Sequence, residues 1–172
     1  MDGRSSARPV GLRPIEAAEF EAYRAGAIFD YAADLIRNGR ADRSNAERIA
    51  RETFASLLPD GPRTLGHRLL VGEDPIDRGR VGFLWFGPSS EDPAMAWIYD
   101  ISVDPDHRRE GWGRALLRAF EADAFEMGYA RAGLNVFADN EVARRLYESM
   151  GYEETARQLH KTLSSATDEV GA

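Results

Sequence analysis

The sequence contains no cysteine among its 172 residues. This absence excludes a disulfide framework, a thiolate metal site and a cysteine nucleophile. Lysine is scarce as well, since Lys161 is the only one and every other basic residue is arginine. No apolar stretch approaches the ~18 residues that a membrane-spanning helix needs. We therefore expect no membrane partner and a cytoplasmic protein.

An excess of basic charge is also missing. The chain has 22 basic and 29 acidic residues, which gives a formal net charge of −7. General affinity for nucleic acid needs a basic surface, so we expect no nucleic-acid partner. The hydrophobic share of 43% is ordinary for a folded protein, and the length corresponds to one domain at roughly 150 residues per domain.

One domain is predicted at residues 10–163, between polar tails at 1–9 and 164–172 that we expect to be flexible. Its first part, 10–67, is mainly helical. Its second part, 81–162, mixes strands and helices. No internal repeat divides it further.

The helical part begins with a strand-like segment at 10–15. Apolar residues then recur at steps of three and four as far as Leu35, which predicts an amphipathic helix that stops before Gly39. Ser44 and Glu47 match a capping box and predict the start of a second helix.

Short apolar runs dominate after residue 68 and predict strands at 69–72, 81–86 and 95–103. Further elements are expected in the order helix 112–127, strand 132–137, helix 140–150 and strand 152–162. Helices followed by a meander and then a strand–helix–strand unit favour the α+β class.

Strict alternation in the strand 95–103 separates its side chains onto two faces, unless a bulge shifts the register. One face would carry Trp97, Tyr99, Ile101 and Val103, and the other Ile98, Asp100 and Ser102.

A glycine-rich turn follows this strand, where a helix begins. It contains two glycines and three arginines, namely Gly111, Gly113, Arg108, Arg109 and Arg114. The N-terminus of a helix offers free N–H groups to a phosphate, and glycine lets the phosphate approach the backbone. The alternative is a plain tight turn with arginines in solvent. A Walker motif is excluded by the missing lysine, and a dinucleotide motif by Leu116 in place of its third glycine.

Two motifs resemble the GCN5-related N-acetyltransferase (GNAT) superfamily, and specifically its bacterial members. Arg108-x-x-Gly111-x-Gly113 resembles the family's acyl-CoA pyrophosphate loop, although Arg109 stands where many members have glycine. Asn140-x-x-Ala143-x-x-Leu146-Tyr147-Glu148-x-x-Gly151-Tyr152 resembles its Asn…Ala…Leu-Tyr-Glu…Gly-Phe signature. The resemblance covers roughly residues 81–162.

The resemblance implies a mixed sheet of about six to seven strands, flanked by helices and splayed in the middle to hold acyl-CoA. It implies acetyl-CoA as cosubstrate and no metal. The implied pyrophosphate-binding residues are Arg108, Arg109, Gly111, Trp112, Gly113 and Arg114. The implied pantetheine-binding residues are Ile101, Ser102, Val103, Asn140 and Tyr147.

Catalytic roles follow from the resemblance as well. Asn140 and Tyr147 lie two helical turns apart, roughly 10.5 Å, on one face. By resemblance, Asn140 binds the pantetheine arm and Tyr147 protonates the departing thiolate. A phenol of pKa ~10 is a suitable donor to a thiolate whose acid has a pKa of ~8.5 only if the site or water assists. The alternatives are a helix N-cap for Asn140 and a core position for Tyr147.

Acetylation of an amine also needs a base, because the protonated amine must lose a proton before it can attack. Asp100 is the first candidate because a carboxylate is unusual in an otherwise apolar strand. Tyr99 is the second, and Glu148 is disfavoured because we expect it to point away from Tyr147. The alternative for Asp100 is a structural ion pair with an arginine.

The resemblance implies direct transfer of an acetyl group from acetyl-CoA to a primary amine in a ternary complex. The acceptor would be a small-molecule or peptide amine, and the helical part at 10–67 is expected to form the acceptor side of the site. The alternative is a non-catalytic acyl-CoA-binding sensor of the same fold. The sequence leaves open whether the protein is a homodimer.

Overall fold

The described part of the protein forms one β-sheet with helices on both faces. The structure is a computed structural model and describes residues 8–159 together with 161 and 163. The strands in this range are β1 Gly11–Pro14, β2 Arg68–Glu73, β3 Arg80–Pro88, β4 Met95–Val103 and β5 Arg131–Leu134. The α-helices are α1 Ala17–Arg37, α2 Ala46–Leu57, α3 Trp112–Glu126 and α4 Glu141–Ser149. The predicted tails lie outside this range, apart from residues 8 and 9.

The strands follow one another across the sheet in chain order, β1-β2-β3-β4-β5. Neighbours from β1 to β4 are antiparallel, whereas β4 and β5 are parallel. The helix α3 connects these two parallel strands, as the strand–helix–strand order predicted. The α+β class and the mixed sheet are therefore confirmed.

Five strands are present in the described part of the chain, instead of the predicted six to seven. The strand predicted at 152–162 is wrong for residues 152–159, which form neither strand nor helix. Residues 153–159 are exposed and mostly polar, so they have no apolar face to bury against the sheet. Residues 160 and 162 lie outside the described residues. The strand predicted at 132–137 ends at Leu134.

Both faces of the sheet are buried. The helices α1 and α2 cover one face, where Phe54 packs on Trp85 with ring centroids 5.2 Å apart. The helix α3 covers the other, where Phe120 meets Phe86 edge-on at 5.0 Å. The side chains of Trp85, Phe86 and Phe120 are at most 2% exposed, so they anchor the sheet firmly between its helices.

The predicted capping box at α2 is wrong. One oxygen of Asp42 accepts hydrogen bonds from the N–H groups of Ser44 and Asn45, each at 3.0 Å. The Ser44 hydroxyl donates to the same oxygen at 2.6 Å, and the residue at the N-cap position of α2 is Asn45, whose side chain does not cap the helix. Local bonds from an aspartate can replace a cap in this way, and Asn45 precedes the first residue of α2.

A bulge interrupts β4 in the middle of the sheet. Trp85 pairs with Asp100 and Phe86 pairs with Ile98, which leaves Tyr99 without an opposite residue on β3. The extra residue shifts the alternation, so Tyr99 and Asp100 both contact side chains of the α1–α2 side.

The bulge also corrects the predicted faces beyond it. Ile101 packs with the core under α3, and Val103 packs with Trp112 at the start of α3. Strict alternation would have placed both on the face of Tyr99, but the structure has the alternative stated for this strand, a bulge that reverses the phase.

The sheet is splayed between its last two strands. The strands β4 and β5 pair from Met95 opposite Arg131 to Ile98 opposite Leu134. Among the residues that the structure describes, 99–103 of β4 therefore have no strand partner on the side of β5. Half of the backbone polar groups of such an edge point away from the neighbouring strand, here β3, and are free to bind an extended ligand.

Candidate active site

An open cleft begins where β4 and β5 part. It runs between α1, the free edge of β4, the segment after β5 and the helix α4. The predicted site residues that line it are Asp100, Ile101, Ser102, Val103, Arg108, Asn140 and Tyr147. The structure thus brings the predicted catalytic and pantetheine-binding side chains to one surface.

The glycine-rich turn lies at one end of β4. A short 3₁₀-helix, Pro105–His107, leads into it. Gly111 precedes α3 in a left-handed conformation with φ of 90°, and no side chain caps the helix. The first N–H groups of α3 are therefore free to meet an anion. Arg109 is also left-handed, with φ of 63°, which costs a residue other than glycine about 1 kcal/mol.

Trp112 and Gly113 contribute to this turn through packing. The side chain of Trp112 is 1% exposed and its indole N–H donates to Glu110 at 3.1 Å, so only its backbone can meet a ligand. A Cβ at Gly113 would lie 3.1 Å from a methyl of Leu146. Glycine at this position therefore allows α3 and α4 to approach closely.

The three arginines of the turn do not converge on one point. Arg108 lines the cleft and its Nε donates to the Val103 carbonyl at 3.4 Å. The guanidinium of Arg114 instead donates to the Ser149 hydroxyl at 2.7 Å and to the sulfur of Met150 at 3.0 Å. Its contacts connect α3 to the end of α4. Arg109 is exposed.

A fourth arginine, which the sequence analysis placed in a tail, supports the turn. The guanidinium of Arg8 stacks 3.9 Å from the ring centre of Trp112 and donates to the Glu110 carbonyl at 3.2 Å. It also lies 3.5 Å from a carboxylate oxygen of Asp74. Arg8 thus ties the start of the described chain to the glycine-rich turn.

Asn140 begins α4. Its side-chain oxygen accepts a hydrogen bond from the Ala143 N–H at 3.2 Å, which is the capping geometry. Within residues 8–159 its side-chain NH₂ has no hydrogen-bond partner, so it can still donate into the cleft. The preceding Asp139 accepts bonds from Arg37 at 3.0 Å and from Asn38 at 3.2 Å. These bonds fix the end of α1 to the start of α4.

Tyr147 lies on α4 with its ring 5.8 Å from that of Tyr152. Burial raises the pKa of Tyr147 to about 12, and the negative charge of Asp100 acts in the same direction. No residue in the range 8–159 hydrogen-bonds to its hydroxyl. The phenol is therefore protonated at neutral pH and free to donate.

Asp100 lines the same cleft as Tyr147, and its carboxylate accepts a hydrogen bond at 2.8 Å from the hydroxyl of Tyr23 on α1. Burial raises the pKa of the Asp100 carboxyl, and the Tyr23 bond partly opposes this effect. The carboxylates of Asp30 and Asp34 on α1 raise it further. The alternative for Asp100 was an ion pair with an arginine, but no arginine pairs with it in the described part of the chain. Its partner is a phenol.

Tyr99, the second candidate base, is engaged elsewhere. Its hydroxyl donates to the Pro88 carbonyl at 2.8 Å and its ring stacks on Trp85 at 4.9 Å. Trp85 in turn donates its indole N–H to His67 Nδ1 at 3.0 Å. Glu148 is exposed at the rim. Of the three residues considered as the base, Asp100 is therefore the best placed in the cleft.

The partnership between Tyr23 and Asp100 is the contact that sequence reasoning missed. Tyr23 lies on the buried stripe of α1 between Phe20 and Ala27, where it reads as a core residue. One signal was available, because a buried tyrosine hydroxyl normally needs a hydrogen-bond partner.

No group of three or more histidines or acidic residues among the described positions could hold a metal ion. No helix in the same range is long and apolar enough to cross a membrane.

The family can be assigned from comparison with known proteins. A model described as the acetyltransferase (GNAT) family matches residues 40–152, more than half of the chain. The chain belongs to the GNAT family. The predicted family, its fold and its class as an acyltransferase are confirmed.

The GNAT relatives include the N-acetyltransferase YycN of Bacillus subtilis (strain 168), which is described as uncharacterized. YycN is 33% identical over 156 residues, covering 88% of this chain and 97% of YycN. The crystal structure of YycN has a TM-score of 0.85 and 31% identity to this chain, covering 91% and 99% of the two chains. The likeness therefore extends over both the helical first part and the motif-bearing second part.

A structure of AAC(6')-Iy with the bisubstrate analog CoA-S-monomethyl-acetylneamine has a TM-score of 0.56 and 15% identity. It covers 91% of this chain and 99% of its own, and at this identity it supports the fold alone. The [ribosomal protein bS18]-alanine N-acetyltransferase of Escherichia coli (strain K12) is 38% identical over 77 residues, 44% of this chain and 52% of that protein. The name of this relative states its acceptor, an alanine of a ribosomal protein.

Proposed function

We propose that this GNAT protein transfers an acetyl group from acetyl-CoA to a primary amine by direct attack in a ternary complex. The observation that carries the proposal is the single cleft in which the free edge of β4, Asp100 and Tyr147 meet. The amine nitrogen would bond to the acyl carbon while the carbon–sulfur bond breaks and the thiolate leaves.

The donor end of the cleft fits acetyl-CoA by its chemistry. The pantetheine arm carries amide groups, which can pair with the unpartnered backbone of residues 101–103 as a strand would. The uncapped N-terminus of α3 suits the pyrophosphate, and Arg108 adds a positive charge close by. Asn140 can donate its side-chain NH₂ to the same ligand.

Asp100 is proposed as the base that takes the proton of the acceptor amine. An alkyl amine of pKa ~10.4 is neutral in only about one molecule in a few thousand at pH 7, so a proton acceptor is required. Burial raises the pKa of Asp100. A carboxylate with a raised pKa is a stronger base than an ordinary one.

Tyr147 is proposed as the acid that protonates the thiolate. Burial, and after it the charge of Asp100, raises the pKa of Tyr147 to about 12, which makes this transfer unfavourable. Once Asp100 has accepted a proton, its contribution disappears and the pKa of Tyr147 falls, although the effect of burial remains. The proton uptake would therefore make Tyr147 a better acid at the stage when the thiolate leaves.

The acceptor end of the cleft carries negative charge from α1. Asp30 and Asp34 line it, one turn apart, and both act on the pKa of Asp100. A primary amine is a cation at neutral pH and is attracted to such a surface before it loses its proton. This charge favours a cationic acceptor, either a small molecule or a peptide amine.

Acetyl-CoA is expected to stabilise the protein against heat. A ligand at 100 times its Kd stabilises the native state by about 2.7 kcal/mol, which raises the Tm of a protein of this size by roughly 5–10 °C. Differential scanning fluorimetry measures this shift, with acetate at the same concentration as control. A Tm unchanged at millimolar acetyl-CoA contradicts the donor site.

Acetylation itself is tested by release of free CoA thiol across a panel of amines. We expect turnover with at least one class among diamines, aminoglycosides and lysine or N-terminal peptides, and a fall of about 10²-fold in Asp100→Asn. Glu148→Gln, a matched change at the rim, is the control. Stabilisation by acetyl-CoA without turnover of any amine would refute catalysis and favour the non-catalytic sensor.

A further inference from the structure

We propose that Tyr23 positions the Asp100 carboxylate for the acceptor amine and favours its ionised form, an inference that rests on the proposed function. Tyr23 does not touch the reacting atoms in this scheme. It acts through Asp100, from the helix that forms the acceptor side of the cleft.

The geometry of the pair is well defined. The Tyr23 hydroxyl donates to Asp100 Oδ2 at 2.8 Å across 77 residues of sequence. Its side chain is 8% exposed, and its ring packs on Phe83 with centroids 4.9 Å apart, so the hydroxyl has little freedom to move. A carboxylate offers about four lone-pair positions, so one bond orients Asp100 and leaves capacity for a proton.

The bulge in β4 is the second element of the arrangement. Because Tyr99 has no opposite residue on β3, Asp100 faces α1 and meets Tyr23. The bulge therefore sets the direction of the carboxylate and the hydrogen bond sets its rotation. Neither the bulge nor the hydrogen bond alone would fix both the direction and the rotation of the carboxylate.

The electrostatic surroundings of Asp100 give this hydrogen bond a chemical role. The groups that act on the carboxyl, or on which it acts, are Tyr23, Asp30 and Asp34 from α1, Tyr147 from α4 and the backbone N–H of Ile101 in β4 itself. Burial and the two α1 carboxylates raise the pKa of Asp100, whereas the bonds from Tyr23 and Ile101 lower it. Burial keeps the pKa of Tyr23 well above 10, so this residue remains a donor.

The variant Tyr23→Phe tests the proposal, since it removes the hydroxyl and keeps the ring. Without the bond the pKa of Asp100 rises, so the base stays protonated to a higher pH. In the profile of kcat/KM against pH, the pKa on the low-pH side is expected to rise by about one unit. Tyr31→Phe, on the same helix and lining the same cleft, is the matched control and should leave this side of the profile in place.

A direct titration of the Asp100 carboxyl by NMR separates this proposal from the proposed function. The Asp100 pKa should be about one unit higher in Tyr23→Phe than in the parent, without acetyl-CoA or amine. Absence of turnover in the parent overturns the acetyltransferase proposal and with it the catalytic purpose of the pair. An unchanged titration and an unmoved pH profile overturn the role of Tyr23. Tyr23→Met removes ring and hydroxyl together and should give the same shift if the phenylalanine variant folds poorly.

Discussion

Tyr147→Phe is expected to lower kcat for amine acetylation by about 10²-fold or more, while the stabilisation by acetyl-CoA remains. The variant removes a phenol that lines the cleft, is protonated and makes no hydrogen bond to residues 8–159. The aromatic ring stays in the packing against Tyr152. Steady-state thiol release at saturating acetyl-CoA measures kcat, and scanning fluorimetry measures donor binding separately.

Tyr152→Phe is the matched control for this prediction. Its hydroxyl is buried beside the Glu121 carboxylate without a well-formed hydrogen bond, so its loss should cost little stability. The two tyrosines lie beside each other, and only Tyr147 is expected to affect kcat. Equal rates for the parent and Tyr147→Phe would exclude Tyr147 as the acid and leave water as the proton donor.

Gly82→Ala is expected to destabilise the protein by about 3 kcal/mol or more, equivalent to a fall in Tm of roughly 6–12 °C. A Cβ at Gly82 would lie 2.0 Å from the backbone oxygen of Ser102 and 3.1 Å from the Cα of Val103. The backbone of β4 must move to admit it, at the residues proposed to pair with pantetheine. The KM for acetyl-CoA should therefore rise as well.

Gly26→Ala provides the opposite expectation. No heavy atom lies within 4 Å of a Cβ placed there, and the residue is exposed within α1. Alanine in a helix interior is favoured over glycine by roughly 0.5–1 kcal/mol, so this variant should be slightly more stable. Urea denaturation measures both free energies of unfolding. Similar stabilities for the two variants would contradict the close approach of Gly82 to β4.

The sequence predicted most of the architecture because its patterns are local. The limits of β4 were predicted correctly, and α1 ends before Gly39 as predicted. The glycine-rich turn and the signature on α4 were also local, and they led to the correct family. Periodicity, turns and motifs all depend on neighbours within a few residues.

Features that depend on distant contacts were not predictable in this way. The bond between Tyr23 and Asp100 joins two elements far apart in sequence, and nothing in either segment names the other. The phase change at Tyr99 depends on how many residues β3 places opposite it. The prediction of a capping box at α2 was wrong because the local hydrogen bonds of Ser44 and Asn45 go to the Asp42 carboxylate.

The bulge in β4 makes the site depend on a count of residues as well as on their identity. Ile98 and Ile101 serve the same core although they are three residues apart, a spacing that no regular strand allows. If Tyr99 were paired with β3 and the strand alternated regularly, Asp100 would face α3 and lie away from Tyr23. The register of β4 against β3 is therefore part of the site, because the same residues in a regular pairing would place Asp100 and Tyr23 on opposite faces of the sheet.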